Sequence, residues 1–462
     1  MNKRLKNTLN LIQGFVSCCL YCMFLLSVAY GQEIDEEQLF SSPDSIVKSE
    51  ELFNRQTSKD EEKEISLNLS GQATSVFSVT DKRERHVVSE ANLTDNTKNS
   101  TSSYIVGNMF LDSRQKLGTK YFVDLEAKYN PSASAESEFT LKEIFIDFNI
   151  KDRVYFRTGK QVLQWGRNYL WNPTDLINID KNTFLTRIGS REGAYGLKLH
   201  IPFGAKYNIY GFLDTSSNKS TDDLGGALKF EFLIDKTEMA FAAWGKGRYY
   251  PVYTYDISTR LLGIDTTGEL ALSQGDNNRK IRVENGILSS YKEQEQWIPK
   301  ASLGFGKYFD YRDIPDRIFL HLELYYNQNG YTENIFSDSE IYTFSNPIQT
   351  LDVTGVPVLK TQGTQKEFLL FNNLYGLNNF SKYYIALFSR YSRFIITDLT
   401  LSINMIRNLN DDSSIVTTGV NYQNIHNLKL GCEIYGYLGE KNREYTFLNN
   451  AYTGQCTVGI LF

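Results

Sequence analysis

Residues 121–129 read YFVDLEAKY, and every second side chain is of one kind. Tyr121, Val123, Leu125, Ala127 and Tyr129 fall on one face of an extended chain, while Phe122, Asp124, Glu126 and Lys128 fall on the other. The same period of two returns along the sequence. Ile65, Leu67, Leu69, Gly71 and Ala73 oppose Ser66, Asn68, Ser70, Gln72 and Thr74. Ile144, Ile146, Phe148 and Ile150 oppose Glu143, Asp147 and Asn149, and Leu320, Leu322, Leu324 and Tyr326 oppose His321, Glu323 and Tyr325. Soluble sandwich strands run to about 5–6 residues. These alternating segments are longer, and a strand of about 9–11 residues suffices to cross a bilayer with a tilt.

The first 31 residues fix the compartment. Lys3, Arg4 and Lys6 precede an apolar run through Phe24, Leu25, Leu26 and Val28, and Ala29-Tyr30-Gly31 sets small residues before a cut at Gln32. Residues 1–31 therefore read as a secretory signal peptide. Cys18, Cys19 and Cys22 leave with it, so the mature chain keeps Cys432 and Cys456. That excludes a disulfide framework and metal-type cysteine spacing. Residues 32–64 carry eleven acidic side chains against four basic ones. Such a stretch buries little, and it is expected to be an acidic, disordered periplasmic segment. The remainder, 65–462, is close to neutral, which argues against nucleic acid as a partner.

Apolar runs of about 20 residues are absent after residue 31, so any crossing of a membrane is made by strands. The chain carries 30 Tyr and 29 Phe, as suits a barrel with aromatic girdles. The alternation places strands near 65–79, 103–115, 119–129, 139–150, 153–162, 193–202, 205–214, 225–235, 237–247, 263–273, 280–290, 300–309, 317–328, 382–392, 397–407, 414–423, 428–438 and 451–462. That makes about eighteen, with sixteen as the alternative. Alternate connections are short, and those between them are mostly long and polar, as in bacterial barrels with short periplasmic turns and both termini inside. The expected fold is an all-β, transmembrane antiparallel barrel over 65–462, in contact with outer-membrane lipid.

The final stretch, AYTGQCTVGILF, puts Tyr452, Gly454, Cys456, Val458, Ile460 and Phe462 on one face and stops at that Phe. It resembles the signal by which barrel-assembly machinery recognises outer-membrane barrels, with Tyr452, Val458, Ile460 and Phe462 carrying the likeness. Cys432 and Cys456 share the lipid-facing parity of the last two strands. Setting them opposite each other centres the hairpin on Arg443–Tyr445 inside EKNREY, which makes a cross-strand disulfide a candidate.

Between the alternating segments ending near 162 and starting at 193 lies a long polar stretch. Gly159-Lys160-Gln161, Trp165-Gly166, then Asp175, Asn178 and Asp180, then Arg187 and Gly193 with Leu197-Lys198-Leu199, resemble a group of large porin-like outer-membrane proteins. Their strand reads Gly-Arg-Gln and leads into Trp-Gly and an Asp–Asn–Pro–x–Asp loop. Lys160 replaces the usual Arg here, and Ile179 stands where that Pro is expected. The resemblance implies fold and location more than substrate.

A barrel of eighteen strands encloses an aqueous lumen unless something fills it. The 163–192 loop is the expected filler, with Arg157, Gln161, Trp165, Arg167, Asp175, Asp180, Arg187 and Arg191 as the pore constriction. Opposite charges facing across it would select solutes, and Trp165, Tyr169 and Trp171 would anchor the loop or stack on a sugar ring. The alternative is an extracellular loop outside the barrel mouth. No cofactor motif appears, and the four histidines, His86, His200, His321 and His426, are scattered. His200 and His321 are placed in the lumen, the latter beside Glu323, as parts of a polar network or, in a lesser reading, of an enzyme's His–carboxylate pair. The expected function is passive or facilitated diffusion of small hydrophilic solutes. A structural or envelope-assembly and export barrel is the second reading, and a barrel enzyme the third. Nothing in the sequence marks an oligomeric state.

Overall fold

A computed structural model describes residues 66–83, 87–88, 94–95, 99–115, 118–131, 137–177, 193–216, 223–336, 339–351, 357–423 and 427–462. The expected signal peptide, the acidic segment 32–64 and Asn178, Asp180, Arg187 and Arg191 lie outside them.

Eighteen antiparallel strands form one sheet that closes on itself. In chain order they are Ser66–Lys82, Asn99–Arg114, Lys120–Tyr129, Ser137–Ile150, Val154–Gln161, Ala194–Phe203, Tyr207–Asp214, Gly225–Ile234, Thr237–Lys246, Val252–Leu261, Ile264–Gln274, Trp297–Tyr311, Ile314–Asn327, Tyr383–Tyr391, Leu399–Asn408, Ser414–Tyr422, Leu428–Leu438 and Asn450–Leu461. Each pairs with its sequence neighbour, and the first pairs with the last from Gln72↔Leu461 to Lys82↔Asn450. Closure leaves no open edge, the condition for a sheet to stand in lipid.

Register confirms the alternation. Large apolar side chains such as Leu67, Phe77, Ile146, Leu228, Ile403 and Val458 are exposed on the outside, while Asn108, Asp256, Glu269, Ser302 and Glu323 are buried on the inside. The outside is an apolar band for lipid, and the molecule is a barrel of the cell outer membrane. One end carries the tight turns. Lys151-Asp152, Leu262-Gly263 and Arg312-Asp313 all have positive φ, the backbone of two-residue hairpin turns whose twist matches the strands. Ser66 and Phe462 lie at this end, which is therefore periplasmic. The seam is sealed by Phe462, whose N–H and C=O exchange hydrogen bonds with Gly71 at 2.9 and 2.7 Å. A Cβ on Gly71 would meet the Phe462 ring at 2.5 Å, so glycine is needed for that close approach.

The expected strand 280–290 does not belong to the barrel. Asn285 and Gly286, both at positive φ, fold it into a hairpin of Lys280–Glu284 and Ile287–Tyr291. The barrel strand left out of the sequence reading is Val252–Leu261, where Tyr253, Tyr255 and Ile257 alternate with Thr254, Asp256 and Ser258. Two compensating misplacements gave the correct even number.

At the extracellular end the 280–291 hairpin joins Tyr342–Leu351 and Pro357–Gly363 in a small four-stranded sheet. The helix Gln365–Phe371 packs on it, started by a Thr364/Glu367 capping box. Ile281, Leu288, Phe336, Phe344, Phe368 and Phe380 form its core, with Phe447 contributed by the last loop. On that loop Glu444 is buried and accepts from Tyr384 Oη at 2.8 Å, Asn408 Nδ2 at 2.7 Å and the Asn378 N–H at 3.1 Å. One carboxyl thus fastens its own loop and the segment carrying Asn378 to two barrel strands at the rim.

Candidate functional site

The 162–177 segment leaves the strand Val154–Gln161 and runs inside the barrel along the lumen wall. Its path is fixed by wall carboxylates. Glu143 accepts the Val162 N–H at 2.6 Å. Glu269 accepts the N–H groups of Arg167 at 2.6 Å, Asn168 at 2.8 Å and Thr174 at 3.1 Å, and also the Thr174 hydroxyl at 2.7 Å. Glu323 accepts those of Tyr169, Leu170 and Trp171. A loop inside a barrel has backbone donors that neither strand nor bulk water satisfies. Two buried carboxylates answer that need with charge-assisted bonds, Glu323 gathering three consecutive N–H groups and Glu269 bridging the two ends of the turn from 167 to 174. His321 Nε2 lies 2.9 Å from Glu323 Oε1, so the His–carboxylate pair serves this anchor.

Side chains hold the loop as well. Asn168 Nδ2 donates to Ser302 Oγ at 2.6 Å, and its Oδ1 accepts from Thr267 Oγ1. Gly304 stands beneath, where any Cβ would collide with Asn168 and Thr267. Trp171 stacks on Tyr325 at 5.4 Å and donates from Nε1 to the Asn378 carbonyl at 2.7 Å. Trp165 is buried with Leu163, Ile177, Phe212 and Trp244. These aromatic rings anchor the loop. Trp165 and Trp171 offer no free face to a solute.

Arg167 was expected as a charge projecting across the pore. Instead its guanidinium is drawn to the wall by Asp256, by Glu238 at 2.7 Å and by Glu231 at 3.2 Å. Lys229 joins the same cluster, 3.5 Å from Glu231 and from Asp256, and donates to the Trp165 carbonyl at 3.1 Å. The reason is electrostatic: three carboxylates inside a barrel are costly without cations, and Arg167 and Lys229 are the partners within reach. Arg157 likewise grips Asp147 at 2.6 and 2.9 Å, with its guanidinium 3.8 Å from the Phe145 ring centre. Gln161 is fully buried and donates to the carbonyls of Arg157 and Gly196. Asp175 lies near the end of the described loop, so five of the expected constriction residues can be placed: Arg157, Gln161, Trp165 and Arg167 are held to the wall or to neighbouring strands, and the Asp175 N–H donates to the Asn172 carbonyl at 3.1 Å.

Glu269 and Glu323, on which the loop depends, were not among the constriction residues read from sequence. The sequence did carry part of the signal: both are acidic residues on the polar face of an alternating strand, Glu269 within TTGELAL and Glu323 within LHLELYY. Among the described residues, no group of three or more His, Cys, Asp or Glu side chains is placed to hold a metal ion.

No protein-family model matches the chain, and no curated protein sequence matches it. Its fold does match solved structures. The crystal structure of Pseudomonas aeruginosa OccK9 (OpdG) superposes with a TM-score of 0.52 at 10% identity, covering 86% of this chain and 98% of that one. Pseudomonas aeruginosa OccK2 (OpdF) superposes with a TM-score of 0.50 at 11% identity, again covering 86% and 98%. The likeness is one of fold: a porin-like barrel.

Proposed function

We propose that this chain is an outer-membrane channel for passive or facilitated diffusion of small hydrophilic solutes, its pore narrowed by the loop that follows Gln161. The observation that carries the reading is the inward course of 162–177, pinned by Glu269 and Glu323 on the lumen wall. A barrel that served only as a structural element would have no need of a polar segment bonded along its inside. The compensated charges along the wall, Arg157 with Asp147, Lys120 with Asp112 at 3.2 Å and Lys142 with Glu126 at 3.2 Å, keep the lumen hydrophilic without a large net field.

Single-channel recording tests it. Purified protein in a planar bilayer is expected to conduct, and removing residues 167–186 is expected to raise the unit conductance while heat-modifiable migration, the mark of a folded barrel, is kept. A folded wild-type barrel that passes no current would refute the channel. Unchanged conductance after trimming would refute the constriction alone.

A further inference from the structure

The last extracellular loop, residues 439–449, touches the constriction as well as the cap. Its Phe447 lies in the cap core, while its Tyr445 is buried in a second cluster with Leu170 and Trp171 of the inner loop and Tyr325 and Tyr384 of the wall. Between the two loops stands Asn378, 1% exposed, on the segment that runs from the cap helix to the strand Tyr383–Tyr391. Its N–H donates to Glu444 Oε1 at 3.1 Å, and its Oδ1 accepts from the Tyr445 hydroxyl at 2.5 Å. Its carbonyl accepts from Trp171 Nε1 at 2.7 Å. Two bonds therefore tie Asn378 to the outer loop and one ties it to the constriction. Its φ of +60° is a left-handed backbone that asparagine tolerates better than most residues. The residues that follow are held as well. Asn379 Oδ1 accepts from the Tyr325 hydroxyl at 2.5 Å, and Tyr384 Oη accepts the N–H groups of Phe380 at 3.0 Å and Ser381 at 2.7 Å.

Resting on the reading of 162–177 as the constriction, we propose that Asn378 is a positioning residue that couples the outer loop 439–449 to the constriction at 169–171. The physical ground is that Glu444, Asn378, Tyr445 and Trp171 are all buried. A donor that loses its acceptor there has no water to turn to, so a displacement of Glu444 or Tyr445 is passed to the groups bonded on the far side of Asn378. Glu323 fixes the N–H groups of Tyr169, Leu170 and Trp171 from the wall, and Asn378 fixes the Trp171 ring from outside. The first part of the inner loop hangs instead on Glu143 and Glu269, which accept the N–H groups of Val162, Arg167 and Asn168. The response is therefore local: what moves the outer loop loosens 169–171 and spares 162–168.

Hydrogen–deuterium exchange of detergent-folded barrels, read by mass spectrometry, tests the coupling without relying on conductance. Glu444→Ala leaves three donors without their acceptor, and Tyr445→Phe removes a single bond. Each is expected to speed exchange at 169–171 roughly three- to tenfold, the scale of coupling between residues in contact, with 162–168 unchanged. Trp171→Phe deletes the bond to Asn378 and keeps a ring against Tyr325. In that background the same two substitutions are expected to add less than about twofold, the scatter of independent sites. Heat-modifiable migration confirms that each variant folds. Exchange at 169–171 unmoved in both outer-loop variants, a rise shared equally by 162–168, or a full rise in the Trp171→Phe background would overturn the coupling while leaving the channel standing. Folded barrels that pass no current yet show the local, Trp171-dependent rise would refute the channel and uphold the coupling.

Discussion

The carboxylate of Glu323 accepts the backbone N–H of Trp171 at 3.1 Å across 152 residues of sequence, and the N–H groups of the two preceding residues converge on the same side chain. A strand residue is thereby the fixed point about which an internal loop is built.

Glu323→Gln removes the charge and turns a donor toward three donors. Each N–H left without an acceptor costs about 1–3 kcal/mol. The barrel, closed by its own ladder of paired strands, is expected to survive, while the loop loosens. Open-channel noise should rise in Glu323→Gln and rise further in Glu269→Gln/Glu323→Gln, and protease added to detergent-solubilised barrels should cut near 169–171. A quiet double variant with an intact loop would show that packing of Trp171 on Tyr325 suffices.

Glu444 provides a pH dependence outside the membrane-spanning strands. Burial pushes its carboxyl from 4.5 up to about 8, against the hydrogen bonds from Tyr384, Asn408 and the Asn378 N–H, while neighbouring Asp411 adds to the rise. A carboxyl with a raised folded value binds more protons folded than unfolded. Its contribution is therefore full below about 4.5 and is lost as pH climbs toward about 8. Thermal or proteolytic stability of the extracellular cap should fall over that window and level off above it. Glu444→Gln, which mimics the protonated group, should flatten the profile. A wild-type profile that rises through the window would contradict the assignment.

What the sequence displayed and what it hid follow from the physics of each signal. A strand between lipid and water must alternate, so Tyr121–Tyr129 announces itself. The loop after Gln161 was recognisable as a filler because Asn172-Pro173 and its charges break that alternation. The partners were hidden. Nothing local to Arg167 says that Asp256 and Glu231 will stand beside it, because these meet only when the sheet closes. The 280–291 hairpin was misread although Asn285-Gly286 is a strong turn signal, since Ile281, Val283, Ile287 and Leu288 mimic one long strand.

Phe462 closes the barrel on Gly71 and ends the stretch that resembles an assembly signal. Deleting Phe462, or replacing it with Asp, is expected to leave unfolded protein in the periplasm. Gly71→Val, which forces the Phe462 ring aside but leaves the terminal residues intact, separates recognition from closure: it should reach the membrane and lose heat stability. Normal surface levels of the deletion would show that neither role is needed.

Cys432 stands directly opposite Cys456 on the lipid face of the last two strands, with Cα atoms 4.2 Å apart, a placement that suits a cross-strand disulfide. That spacing belongs to a non-hydrogen-bonded antiparallel pair, where about 4.5 Å is usual and side chains approach most closely. We propose that the bond forms in the mature protein, since folding takes place in an oxidising compartment. It encloses the loop carrying Glu444, so it restricts the unfolded chain over a separation of 24 residues, worth about 3 kcal/mol in the chain-entropy account. Denatured, unreduced protein should take up no maleimide, and two adducts should appear after reduction. Cys432→Ser should lower the unfolding temperature without altering conductance, because both side chains face away from the pore. Two adducts without reduction would mean free thiols, and would reduce the pair to small apolar residues packed against lipid.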